Sequence, residues 1–282
     1  MKSVKIYSIH FDRPEFIKWQ YDSFKKHLSD DFEYIVINNA HENKYKELIK
    51  KECENISVKY IDSIQSILDI AGLHHAKSFN YIWKKYAIEN KDSYVILMDG
   101  DCFLIKQFSV NNFMNGYVLA GPKQQRNFKY HYLTPTIIIS DIYNLPDAET
   151  IDWTGIGVIE GDMEIRLDTG GGLYTYYCTH PEIKNKTKEL KSSWHIKEEN
   201  KNKHCLPNSI LKDYKDEYNI EFFGNEFLHY CRSSNWDYQT AQHHLEKSNF
   251  IKNFIYKTIN EELVANEHNF QIDNNIYFGW GQ

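Results

Sequence analysis

The sequence predicts an α/β protein with a mostly parallel central sheet flanked by helices. Three observations carry this. Strand-like and helix-like segments alternate through the first hundred residues, the strand-like segments end in polar residues, and the apolar run Tyr94-Val95-Ile96-Leu97-Met98 closes on two carboxylates, Asp99 and Asp101. In such sheets ligands bind beyond the carboxyl ends of the strands, which is where these polar residues fall.

Val4-Lys5-Ile6-Tyr7-Ser8-Ile9 is the first strand. Asp12 offers a helix cap, with Pro14 in the first turn and Ile17, Tyr21, Phe24 and Leu28 at helical spacing behind it. Tyr34-Ile35-Val36-Ile37 forms a second strand ending in Asn38 and Asn39, followed by a helix with Tyr45, Leu48, Ile49 and Cys53 on one face. Val58 to Ile61 is a third strand, and a helix from about His74 to Glu89 feeds the strand that ends at Asp99.

The second half is less regular. Tyr117 to Ala120 and Thr136 to Ser140 read as strands, with Lys123-Gln124-Gln125-Arg126-Asn127 a polar loop between them that could line a pocket. Leu173-Tyr174-Thr175-Tyr176-Tyr177 reads as an aromatic strand, and the Lys-rich stretch from Ile183 to Asn202 as a solvated excursion or a flap. A last amphipathic helix from about Leu245 to Leu263 packs through Phe250, Ile251, Phe254, Ile255 and Ile259. The expected organisation is one domain over 1–282: a ligand-binding half at 1–105, a second half at 106–245, and a helix and tail at 246–282.

At 282 residues the chain can bury a substantial core. With 33 Lys+Arg against 39 Asp+Glu, its net charge of −6 argues against nucleic acid as a partner. Five scattered cysteines without a CxxC pair argue for reduced thiols, a cytoplasmic setting and no structural zinc. Neither a signal peptide nor the roughly 18 consecutive apolar residues of a membrane helix is evident, so a soluble protein is expected.

Asp99-Gly100-Asp101 is the segment richest in chemistry. In extended backbone, residues i and i+2 share a face, so the two carboxylates can meet one ion, and Gly100 leaves room for phosphate oxygens. Oxygen ligands favour Mg²⁺ or Mn²⁺. An EF-hand is excluded, because Cys102, Phe103 and Leu104 follow where oxygen ligands would be needed. The haloacid-dehalogenase pattern is excluded by Phe103, which stands where that family has a small hydroxyl residue.

Further candidates lie elsewhere in the chain. Glu160, Asp162 and Asp168 are carboxylates able to act as a general base, and Gly170-Gly171-Gly172 after Asp168 offers a backbone open to close ligand approach. His74, His75, Lys77 and Asn80 lie near a helix start, where Lys77 or His75 could meet a diphosphate or base. Most of the 21 tyrosines and six tryptophans must fill core, and Trp153 and Trp236 are the ones to watch for stacking on a ligand ring.

An alternating first half, a strand ending in Asp-x-Asp and an irregular second half together resemble the GT-A fold, the Rossmann-like fold of metal-dependent nucleotide-sugar glycosyltransferases, over roughly residues 3 to 240. The resemblance implies a metal held by Asp101, with Asp99 binding the metal or the donor's ribose, a nucleoside-diphosphate-sugar donor (UDP by default) contacted near Asn38 and Asn39, and a carbohydrate acceptor. Phe227-Leu228-His229-Tyr230-Cys231-Arg232-Ser233-Ser234-Asn235-Trp236 is similar to the C-terminal metal-binding turn of glycogenin-type transferases. That similarity implies His229 as a third ligand and Arg232, Asn235 and Trp236 as donor contacts, although the family's Gly-x-x-Lys-Pro-Trp portion is not reproduced. The alternatives are a sugar nucleotidyltransferase, for which the expected Gly-rich loop after the first strand is missing, and a non-catalytic carbohydrate-binding protein.

Overall fold

A computed structural model describes residues 1–63, 71–194, 207–218, 220–231, 233 and 240–263. Strand and helix alternate as expected through β1 (Ser3–His10), α1 (Glu15–His27), β2 (Phe32–Asn38), α2 (Asn43–Asn55), β3 (Lys59–Asp62), α3 (Ala71–Ile82) and β4 (Ser93–Asp99). There follow β5 (Cys102–Leu104), α4 (Val110–Met114), β6 (Leu119–Gly121), β7 (Lys123–Arg126), β8 (Tyr130–Leu133), β9 (Ile137–Asp141), β10 (Ile156–Glu160) and β11 (Met163–Leu167). The last elements are α5 (Gly172–Thr179), α6 (Pro181–Asn185), β12 (Thr187–Glu189), β13 (Ser192–Trp194), α7 (Asn208–Leu211), β14 (Glu221–Phe223), β15 (Phe227–His229) and α8 (Ala241–Ile259).

The central sheet has seven strands in the order β12-β6-β9-β4-β1-β2-β3. The β3-β2-β1-β4 block is parallel, and β9 runs against both of its neighbours. The protein is therefore mixed α/β, with a mostly parallel sheet flanked by helices. Alternate residues of the strands point to opposite faces. Tyr7, Ile9, Val95 and Leu97 pack with Phe79, Trp83 and Tyr176 on one face, and Val4, Ile6, Ile96 and Met98 pack with Ile17, Phe24 and Ile49 on the other.

A second, antiparallel sheet, β13-β14-β15-β5, joins the first through Asp99-Gly100-Asp101. One of its faces shares a third core with α1 and α8, built on Phe103, Phe222, Leu228, Phe250, Ile251, Phe254 and Ile255. Among the described residues no helix is long and apolar enough to cross a membrane.

Several expectations are corrected. Asp12 does not cap α1; its backbone is left-handed (φ 47°), its Oδ1 accepts the His41 N–H, and the helix opens at Pro14-Glu15. Residues 123–126 are a strand, because Asn127 and Phe128 (φ 46° and 53°) turn the chain tightly back onto β8. Residues 173–177 are helical, since Leu173, Tyr176 and Tyr177 are buried at i, i+3 and i+4. The Lys-rich stretch is integrated as far as 194: Ile183 and Leu190 are buried and β12 pairs with β6 at the sheet edge. The final helix begins at Ala241, capped by the Thr240 hydroxyl, and ends at Ile259.

Candidate metal centre

Three side chains converge where the two sheets meet. Asp99, Asp101 and His229 each offer a ligand atom, and these atoms lie within 4.8 Å of one another. The geometry differs from the extended strand expected from sequence: β4 stops at Asp99, the chain turns through Gly100 and Asp101, and β5 begins in the other sheet. The turn is tied from both sides, by Asp99 N–H to Thr136 O (2.9 Å), Gly100 N–H to Ile9 O (2.8 Å) and Tyr230 N–H to Asp101 O (2.9 Å). The last of these bonds extends the β5–β15 pairing, in which His229 lies opposite Cys102, and so brings His229 beside Asp101.

Gly100 serves packing and not ligand approach. A Cβ there would sit 2.4 Å from His10 Nδ1, so the His10 ring occupies the space that a side chain would need. The opening of the site lies at Asp99, whose side chain is 24% exposed, against 10% for Asp101 and 11% for His229.

Electrostatics bind the cluster together. His229 Nε2 lies 3.3 Å from Asp101 Oδ1, and its Nδ1 lies 2.9 Å from Glu221 Oε2. Burial opposes charge on the imidazole, but the Asp101 and Glu221 carboxylates outweigh it and hold the His229 pKa well above the ordinary range. Burial likewise opposes charge on Asp101, and His229 reverses the balance, holding that carboxyl below its usual range. At 2.7 Å, His75 Nε2 meets Asp99 Oδ1. Burial works against charge on this ring too, yet Asp99, with smaller contributions from Asp101 and Asp168, raises its pKa.

Two carboxylates and an imidazole are a donor set suited to a divalent cation such as Mn²⁺. The environment of His229 fits as well, because metal-binding histidines commonly give their second ring N–H to a carboxylate, as Nδ1 does here to Glu221. Sequence reasoning missed Glu221, although the signal was present. Phe222-Phe223 and Phe227-Leu228 flank Gly224-Asn225-Glu226 as two strands around a glycine turn, and the resulting hairpin pairs Glu221 with His229.

The other candidates are distributed as follows. Asp168 is exposed at the foot of the β10–β11 hairpin, close enough for its charge to act on His75. Glu160 and Asp162 lie at the far tip of that hairpin, where Glu160 pairs with Lys129 at 2.6 Å. The five residues of β11 separate Asp162 from Asp168, ~20 Å over six steps of ~3.4 Å, so the structure does not bring the three together. Asn38 and Asn39 do end at the carboxyl edge of β2, but both are buried: Asn38 bonds the Lys46 carbonyl and the Ala40 N–H, and Asn39 accepts from Ser78.

Lys77 is exposed two positions after His75 on α3, about 200° further around the helix. Asn80 holds Asp152 and the Trp153 N–H, and Trp153 is wholly buried against Phe79 and Trp83, which corrects its reading as a sugar platform. The glycine run is corrected as well. The N–H groups of Gly170, Gly171 and Gly172 donate to the carbonyls of Trp153, Asp168 and Thr154, and a Cβ on any of the three would strike the protein's own atoms at 2.2–2.5 Å. Arg232, Asn235 and Trp236 lie outside the described residues, as does His195.

No family model and no curated protein matches this chain. Among solved structures, the mannosyltransferase PcManGT from Pyrobaculum calidifontis, in complex with GDP-Man and Mn²⁺, is similar over 50% of this chain at 9% identity and a TM-score of 0.34. The matched region spans 44% of that chain, less than half its length.

Proposed function

We propose that this chain is a metal-dependent glycosyltransferase of the GT-A type, moving a sugar from a nucleoside diphosphate, by default UDP, to a carbohydrate hydroxyl. The observation that carries the reading is the meeting of Asp99, Asp101 and His229 at the carboxyl end of β4, the edge of an α/β sheet where ligands bind. Asp99, Asp101 and His229 would hold Mn²⁺ or Mg²⁺. When bound, such an ion supplies Lewis-acid neutralisation of charge on a departing diphosphate.

The chain's own groups do the remaining work. Buried Asp101 and His229, the latter held by Glu221, give the site a fixed wall; Asp99 and His75 form its open side, where a donor diphosphate would meet a histidine whose pKa is lowered by burial but raised on balance by its carboxylate neighbours. Asp168, across from His75, is the carboxylate best placed to bind the sugar or to take the acceptor's proton. Residues 1–105 would form the donor half and 106–245 the acceptor half.

The test is donor turnover. Purified protein incubated with UDP- and GDP-sugars should release the nucleoside diphosphate in the presence of Mn²⁺ and stop doing so with EDTA. Turnover indifferent to chelation would sink the reading. Release of pyrophosphate from a nucleoside triphosphate plus a sugar phosphate would favour a nucleotidyltransferase instead, and metal-independent sugar binding without turnover would favour a binding protein.

A further inference from the structure

Beneath the metal-binding turn lies a buried polar network that the chemistry above does not use. Gln20 of α1 is fully buried, and its Nε2 donates to the carbonyl oxygens of Asp99 (3.0 Å) and Cys102 (2.5 Å). These two residues bracket Gly100-Asp101, so one carboxamide spans the turn from β4 to β5. The Gln20 Oε1 accepts from the hydroxyls of Ser8 (2.5 Å) and Tyr34 (2.6 Å), and His10 Nε2 lies 3.0 Å from both hydroxyls.

The protons in this network can be assigned by elimination. Each hydroxyl has a single hydrogen and gives it to Gln20, so each can only accept from His10. Nε2 therefore carries a proton, burial disfavours a second one on the ring, and Nδ1 lies on the edge that fills the space over Gly100. The chain of donors runs from His10 through the two hydroxyls and Gln20 to the main chain on either side of Asp101. Every member is buried, so any broken bond leaves a polar group unsatisfied.

We propose that Gln20, oriented by Ser8, Tyr34 and His10, is the positioning residue of the cation site: by clamping both ends of the turn it fixes the spacing of the Asp99 and Asp101 carboxylates. This rests on the metal-centre reading above. Nothing in the clamp touches substrate or ion; it acts through the backbone that carries the ligands.

The test measures Mn²⁺ binding directly, from free Mn²⁺ by electron paramagnetic resonance, alongside the thermal midpoint. Gln20→Glu replaces the double donor by an acceptor facing two carbonyls, and the Mn²⁺ Kd should rise about tenfold or more, the scale on which outer-shell partners act. Tyr34→Phe removes one orienting hydroxyl and should raise Kd about threefold, a smaller share of the same effect. Ile142→Ala, a cavity in the core beyond the opposite end of β4, should lower the midpoint and leave Kd within about twofold. Ring nitrogen shifts of His10 should report the neutral form protonated at Nε2.

A folded Gln20→Glu protein with parental Kd overturns the clamp, as does an equal loss of affinity in Ile142→Ala. Should Gln20→Glu fail to fold, Tyr34→Phe decides, and an unchanged Kd there overturns the clamp. A parent protein that binds no Mn²⁺ instead refutes the metal reading and takes this inference with it.

Discussion

Asp99-Gly100-Asp101 and Asp168-Thr169-Gly170-Gly171-Gly172 look alike as sequence: carboxylate beside glycine, after a strand, suggesting backbone that a ligand can approach. They fold to opposite purposes. At the first, the chain leaves one sheet for another, and two carboxylates emerge beside His229 while their own backbone is tied down from behind. At the second, all three glycine N–H groups are used within the protein, and the missing side chains make room for Leu133, Leu167 and Asp152. Glycine next to an acid therefore marks crowding as readily as it marks a ligand. A site forms where separate segments bring charge together.

Substitutions at the two acids should separate them most strongly. Asp101→Ala is expected to lower both donor turnover and Mn²⁺ affinity by about 10²–10³-fold, the scale of losing a group that stabilises developing charge. Asp168→Asn should lower turnover by about 10²-fold, as for a general base, while leaving Mn²⁺ affinity unchanged. Steady-state assays and Mn²⁺ titration of both variants check this, and a metal defect in Asp168→Asn would erase the distinction.

The next contrast removes Glu221, the partner that the second segment lacks. Glu221→Gln should weaken Mn²⁺ binding about tenfold, because the carboxylate that holds His229 Nδ1 is replaced by a weaker acceptor. Calorimetric titration measures the difference, and parental affinity would show that His229 needs no such support.

Alanine at the glycines sharpens the comparison further. Gly100→Ala and Gly171→Ala should each cost about 1–3 kcal/mol by overpacking, against His10 and Leu167 respectively. Of the two, Gly100→Ala alone should also weaken Mn²⁺ binding. Urea unfolding with parallel Mn²⁺ titration reads both effects.

Acid gives the smallest and most graded effect. Burial pushes the pKa of His10, the ring against Gly100, down to about 3, and that of His27 under α8 down to about 4, against 6.5 for an unburied ring. Between those values and 6.5 the unfolded chain binds more protons than the folded one, so stability falls as pH drops through that window. Urea midpoints at pH 7, 5.5 and 4 should decline in that order, and His10→Gln should flatten the slope.

Much of the fold was legible because its signals are local. The alternation of apolar periods from Val4 to Asp99 gave the parallel strands and their helices, and the polar residues closing β2 and β4 marked the edge where the candidate site lies. Errors arose where burial depended on partners distant in sequence. The run 173–177 reads as a strand by its aromatic content, but a helix buries Leu173, Tyr176 and Tyr177 against the sheet. Polar residues 123–126 give no strand signal because their order comes from pairing with β8. Gln20 sits among the apolar positions of α1, a buried polar residue whose reason appears only once β1, β2 and the turn surround it.

By itself the sequence determined the α/β class, the two acids at the end of β4 and the histidine that closes β15, because strand periodicity and residue chemistry are properties of short segments. Tertiary structure alone decided that Asp99 and Asp101 belong to a turn between two sheets, that Glu221 holds His229, and that the triple glycine is interior packing. These are contacts between segments up to about 130 residues apart, and the spacing of a metal site is set by where such segments are anchored in the folded chain, which no local pattern records.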